Sequence, residues 1–264
     1  MTLTSSATST GLAGQLLIDE VLRRLERQPE RTLLDRVLGH SPIAERDLPW
    51  YLGAKGERVV GAVLSRLPQG WAVLHSLPIG HAADIDHIVI GPGGVFVVST
   101  KHHPGKKVWV AGHGFLVSGR RLPYMGKAGR EADRVTETLA SAGAFGIPVE
   151  PIIVLVGVAS LTVRSQPDVP VLEARRLLSW LASQPQRLEA EAVQELVRRL
   201  SRADLWADTR PHVAHAGVRF GQLDAQVRAA SVVRRLWTVG IVGAAVWCGM
   251  IAVPSAMAAL TLTQ

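Results

Sequence analysis

Asp84-Ile85-Asp86-His87-Ile88-Val89-Ile90-Gly91-Pro92-Gly93-Gly94-Val95-Phe96-Val97-Val98-Ser99-Thr100-Lys101 is the stretch that decides the fold. Apolar, mostly β-branched residues fill 88–90 and 95–98, with Gly91-Pro92-Gly93-Gly94 between them. That pattern predicts two strands joined by a tight turn. Alternation along the second strand puts Val95, Val97, Ser99 and Lys101 on one face. Acids open the first strand and a lysine closes the second, so Asp86 and Lys101 can approach one metal-and-phosphate site. The plain alternative is a core hairpin with solvated charged ends.

Upstream, residues 54–67 read as a helix with an apolar stripe of Val60, Val63, Leu64 and Leu67. Glu57 lies three residues before Val60 and seven before Leu64, hence on that stripe. A buried carboxylate is costly unless it is paired or bound to a metal. A first-turn glutamate also favours the helix dipole, so spacing alone leaves both readings open. Gly53 and Gly56 would let a neighbouring strand come close.

These residues resemble the nuclease-related (NERD) domain, which is similar to the restriction-endonuclease-like PD-(D/E)XK nucleases. The superfamily signature is an acid, a spacer of a dozen or so residues, then Glu-x-Lys. Asp86 matches the first acid, Lys101 the lysine, and Glu57 the helical glutamate upstream. Ser99 stands where the second acid is expected. The resemblance covers about residues 50–180. It implies a mixed central sheet flanked by helices, an α/β fold, and an Mg²⁺-dependent site that cuts or binds DNA. Catalytic candidates are Glu57, Asp86, Lys101 and Ser99, and metal candidates are Asp86, Glu57 and Asp84. Asp84 shares a face with Asp86 if the strand reaches back to it; otherwise it is a surface residue. The serine leaves a second outcome open, a catalytically inactive, membrane-anchored interaction scaffold.

The rest of the chain fits around that domain. Residues 12–27 and 31–38 read as helices, within an N-terminal helical segment over 1–49; the Ser/Thr-rich start, Met1–Thr10, reads as a flexible leader. Strands are expected at 71–77, 107–110, 115–117, 152–156 and 169–172, and helices at 127–142, 173–182 and 188–199. In the helix at 127–142, Val135, Leu139 and Ala142 share a face, and Glu131 is placed largely off it. A helix before the wholly apolar Ile152–Val156 run predicts a crossover to a covered strand. The α/β domain is thus bounded at 50–200, followed by a polar linker or juxtamembrane segment at 201–235.

From Leu236 to Thr263 no residue is charged. Eighteen residues precede Pro254, close to the ~20 that cross a bilayer core. This predicts a transmembrane helix at 236–260. Arg228, Arg234 and Arg235 precede it and no basic residue follows, so the positive-inside rule places the main domain in the cytoplasm of a single-pass cell-membrane protein.

With 29 Lys and Arg against 22 Asp and Glu, the net charge is +7, compatible with nucleic acid or anionic lipid as partner. Lys106, Lys107, Arg120 and Arg121 are candidates for a DNA backbone contact, or form a solvated face. Cys248 is the single cysteine, which excludes an intrachain disulfide and a cysteine-based zinc cluster. His75, His81, His87, His102 and His103 crowd one region without a recognised ligand spacing, and are read as loop histidines. His87 and His102 are noted as candidate phosphate contacts. Gly91-Pro92-Gly93-Gly94 lacks the lysine and helix of a nucleotide-binding loop. Oligomeric state is not readable from the sequence.

Overall fold

The computed structural model describes residues 8–79, 83–206 and 212–261. They form ten strands and seven α-helices. In chain order these are β1 (Thr8–Thr10), α1 (Gln15–Glu26), α2 (Leu33–Val37), α3 (Leu48–Leu64), β2 (Ala72–Ile79), β3 (Ala83–Gly91) and β4 (Gly94–His102). Then follow β5 (Lys107–Ala111), β6 (Gly114–Val117), β7 (Arg120–Arg121), α4 (Tyr124–Ser141), β8 (Val149–Val156), β9 (Ser160–Val163) and β10 (Val171–Glu173). The chain closes with α5 (Leu177–Ala182), α6 (Ala190–Leu200) and α7 (Ala216–Thr261).

The fold is mixed α/β, as the hairpin and crossover patterns require. One compact unit holds residues 1–21 and 49–217, a second holds 22–48 and 218–264. In the first, a six-stranded mixed sheet runs β1-β2-β3-β4-β8-β10. The β3–β4 hairpin is antiparallel with Gly91 opposite Gly94. Gly91 has no room for a Cβ, because the Trp71 ring lies 2.2 Å from where it would stand. β8 pairs parallel to β4, which requires a crossover, and α4 supplies it.

Strand alternation then sorts the core. On one face Val89, Phe96, Val98, Ile152 and Val154 pack with Val60 and Leu64 of α3 and Leu177 and Leu181 of α5. On the other, Ile88, Ile90, Val95 and Val97 pack with Val135 and Leu139 of α4 and Val193, Leu196 and Leu200 of α6. A smaller sheet, β7-β6-β5-β9, rests its Val108, Val110, Phe115 and Val117 on Met125 and Ala128 of α4 and on Ile153 and Leu155 of β8.

Several expectations are corrected. Thr8–Thr10 is not loose leader but a parallel edge strand on β2; residues 1–7 lie outside the described residues. The strand expected at 71–77 runs on through Pro78 and Ile79, which pair with Asp84 and Ala83, while Gly80 and His81 lie outside the described residues. Residues 216–230, aperiodic by sequence, are helical: Ala216, Phe220, Leu223 and Ala230 are buried at spacings of four, three and seven, the stripe of a packed helix.

Candidate functional site

Past His87 the hairpin forks. The β3–β4 ladder pairs His87 with Val98 and ends there. The Asp86 side chain fills the next rung, accepting the Thr100 backbone N–H at 2.6 Å. On the β2 side Ser76 takes a positive φ of 50°, between the pairs His75–His87 and Leu77–Ile85. Ser76 is unusual in this left-handed region, where non-glycine residues store strain. Its hydroxyl receives the Gln15 N–H at 3.0 Å and donates to Glu57 at 3.5 Å.

Glu57 reaches this fork from α3. Gly56 lets the helix approach, since a Cβ there would meet His102 Cβ at 2.8 Å and Thr100 Cγ2 at 3.2 Å. Glu57 is only 2% exposed. Carboxylate oxygens of Glu57, Asp84 and Asp86 lie within 4.8 Å of one another. The structure therefore brings together the helical acid and both hairpin acids, Asp84 as well as Asp86.

Ser99 and Lys101 project from β4 on the α4 side. Lys101 Nζ donates to Ser99 Oγ at 2.8 Å and to the Thr100 carbonyl at 3.1 Å, and lies 5.2 Å from the Tyr124 ring centre. The same face presents two residues that sequence patterns do not place in the site. Glu131 of α4, expected off the apolar face, is 8% exposed, and Ser99 is close enough to lower its carboxyl pKa against the burial that raises it. Glu131 stands one turn before Val135, and that i,i+4 relation is the signal that could have found it. Lys127, one turn earlier again, pairs with Glu131 at 3.5 Å.

The electrostatics follow from burying like charges. Burial, then Asp86 and Asp84, push the Glu57 carboxyl well above the usual range, against Lys101 and Ser76. Burial and Asp86 push Asp84 up to about 6, against Lys127. Burial and Asp86 raise Glu131, against Lys101, Lys127 and the Ser99 hydroxyl. For Lys127, burial opposes the charge, but Glu131, Asp86 and Asp84 outweigh it and the pKa rises. Crowded acids raising one another's pKa are a recurring mark of functional sites.

A hard divalent cation fits this donor set. All three converging groups offer oxygen, as Mg²⁺ prefers. Asp84 Oδ2 is buried with no hydrogen-bond partner among the described residues. The repulsion that raises the acids is what a cation would relieve.

Of the histidines expected in loops, His75, His87 and His102 lie in strands instead, His103 follows β4 in a loop, and His81 lies outside the described residues. His75 and His87 sit in β2 and β3, 8% and 0% exposed, with their Nδ1 atoms 2.7 Å apart. Fully buried, His87 cannot touch a phosphate. His102 Nδ1 bonds the Leu52 carbonyl of α3, while His103 bonds the Tyr124 hydroxyl beside α4, so the neighbours point to opposite sides. Lys106, Lys107, Arg120 and Arg121 are all exposed around the small sheet. Arg120 is near enough to Tyr124 to lower its hydroxyl pKa, against the burial that raises it, which ties that basic group to the neighbourhood of Lys101. Trp109 is exposed on the same sheet, in a shallow basin with Leu116 and Arg121.

In the second unit, α7 is the helix among the described residues that is long and apolar enough to cross a membrane, with mean hydropathy 1.4 over its best window.

The family model described as NERD, nuclease-related domain, matches residues 52–156. An uncharacterized protein of Bacillus anthracis is 35% identical over 88 residues, or 31% of this chain. The chain spans 40% of that relative's length. No solved structure matches.

Proposed function

We propose that this nuclease-related domain binds Mg²⁺ and cleaves DNA phosphodiesters at the cytoplasmic face of the cell membrane, to which α7 anchors it as a single span. The observation that carries the reading is the meeting of Glu57, Asp84 and Asp86 within 4.8 Å, with the Lys101 ammonium fixed by Ser99 alongside.

Asp84, Asp86 and Glu57 would hold the cation. When bound, it would polarise the phosphate and lower the pKa of the attacking water. The chain's own groups do the rest. Lys101 is aimed by two hydrogen bonds and can stabilise the charge that develops on the phosphate. Ser99 accepts from Lys101 and stands close enough to Glu131 to lower its carboxyl pKa, so Glu131 would supply, from α4, the carboxylate that position 99 lacks. Its role is to fix Ser99 and Lys101 and to add negative charge beside Asp86. Arg120, Arg121, Lys106 and Lys107 are placed to contact the backbone of a DNA substrate.

The test is cleavage of plasmid and linear DNA by the full chain in detergent with Mg²⁺ or Mn²⁺. Asp86→Asn and Lys101→Met should each lower the rate by about 100-fold or more, and Glu131→Gln by about 10-fold or more. Ser99 favours one other reading, a non-cleaving scaffold on the same fold. Absence of both cleavage and calorimetric Mg²⁺ binding in the wild type would decide for the scaffold.

A further inference from the structure

The second unit carries an apolar surface that the nuclease reading does not use. In α2, Leu33, Leu34, Val37 and Leu38 are 79%, 65%, 59% and 38% exposed. Their spacing puts them on one side of the helix, and no residue of α2 is buried. The helix is nevertheless well specified. Thr32 and Asp35 form a reciprocal capping box, with Asp35 N–H donating to Thr32 Oγ1 at 3.1 Å and Thr32 N–H to Asp35 Oδ2 at 2.9 Å. Thus Thr32, Asp35 and Arg36 give it a polar side.

α2 is also stapled to the long helix at a definite height. Trp237 Nε1 donates to the Val37 carbonyl at 2.7 Å, and Arg234 Nη1 to the Gly39 carbonyl at 3.3 Å. Gly39, at φ +73°, fits so closely that a Cβ would stand 2.7 Å from the Ala230 carbonyl oxygen and 2.8 Å from Arg234 N. Arg234 and Arg235 are the last charges before the uncharged run that begins at Leu236. That is where headgroups give way to hydrocarbon if α7 spans, and where a tryptophan indole is favoured.

We propose that α2 is a membrane foot: a short amphipathic helix, pinned to α7 at Trp237, whose Leu33, Leu34, Val37 and Leu38 enter the headgroup–acyl boundary of the bilayer that α7 crosses. This rests on the spanning reading of α7. The occupant is lipid rather than another protein because the patch lies beside the first uncharged turn of α7. There Leu236, Val239, Ile241 and Val242 are themselves exposed at 67%, 70%, 64% and 57%, so apolar surface continues from one helix to the other. Interfacial amphipathic helices bind by this combination of apolar face and charged flank.

The experiment uses the full chain in phosphatidylcholine–phosphatidylglycerol vesicles, in a Cys248→Ser background. Single cysteines at Leu34→Cys, Arg36→Cys and Val246→Cys each carry an environment-sensitive fluorophore. The Leu34 label should emit to the blue, be quenched by shallow lipid-borne quenchers, and resist aqueous iodide at least several-fold better than the Arg36 label. The Val246 label reports the span itself and should be quenched by deep lipid quenchers. A quenched Val246 with a Leu34 label open to iodide overturns the foot and leaves the span. An unquenched Val246 overturns the span. A Leu34 label shielded from both quenchers, with disulfide cross-linking between copies through Leu34→Cys, overturns lipid as the occupant in favour of a second chain.

Discussion

Asp84 and His75 pull the acid stability of the first unit in opposite directions. Asp84 has its folded pKa raised to about 6 from 3.8. Its favourable contribution is therefore complete below 3.8 and lost as pH rises through 6; at neutral pH the crowded charge costs about 3 kcal/mol. His75 has its folded pKa lowered by burial to about 4 from 6.5. Its contribution is complete above 6.5 and lost as pH falls through 4, again about 3 kcal/mol. Asp84→Asn should thus stabilise the metal-free chain by about 1–3 kcal/mol at about pH 7.5 in urea unfolding with chelator. It should give little gain at about pH 4, and should make the loss of stability on acidification steeper than in the wild type. Equal stability of variant and wild type near neutral pH would mean that neither burial nor the neighbouring acids penalise the Asp84 charge. The positions of Glu57, Asp86 and Lys101 are legible from spacing and resemblance because each lies on a periodic element. Glu131 escapes because its charge reads as solvent-facing, although its i,i+4 relation to Val135 places it on the face of Val135, Leu139 and Ala142. His75 and His87 escape because a histidine between apolar residues looks polar in sequence, although strand alternation turns both inward.

At the level of elements, the site depends on how closely α3 crosses the end of β4. Gly56→Ala inserts a methyl group where His102 Cβ is 2.8 Å away. Neither neighbour is the free end of a flexible chain, so the helix must shift. The expected loss is about 1–3 kcal/mol, seen as a lower unfolding midpoint. DNA cleavage should fall further than stability alone explains, because Glu57 is the next residue. A Gly56→Ala chain with wild-type midpoint and rate would show that the crossing is slack. The long strands and α4 are legible because their periods run over many residues. β1, β9 and β7 have three, four and two residues, too few for a period to declare itself. They form only because long-range partners are already in place: β9 pairs with β5, Lys107 opposite Ser160. Conversely, the first turns of α7 are masked in sequence, since two of the buried stripe positions, Ala216 and Ala230, are small residues that carry little apolar signal.

For the whole molecule, charge and anchoring give two measurements. DNA affinity should weaken with salt, and replacing Lys106, Lys107, Arg120 and Arg121 by alanine should reduce the log–log slope by about 0.9 for each phosphate no longer neutralised. An unchanged slope would assign those residues to a solvated face. Removing residues 236–264 should move the chain from the membrane pellet into the supernatant after alkaline washing; a truncated chain that stays in the pellet would contradict anchoring by α7. The small sheet has a consequence of its own. Its strands β5, β6 and β7 are encoded wholly between Lys101 and Glu131, leaving the main sheet at the end of β4 and leading into α4, with the Gly105 N–H pinned to the Gly157 carbonyl. The exposed turns of this small sheet can lengthen, shorten or change their surface without disturbing the groups it frames, as loops on a rigid scaffold generally can. If the site cleaves DNA as proposed, change in those turns would re-aim one reaction at a differently shaped polymer.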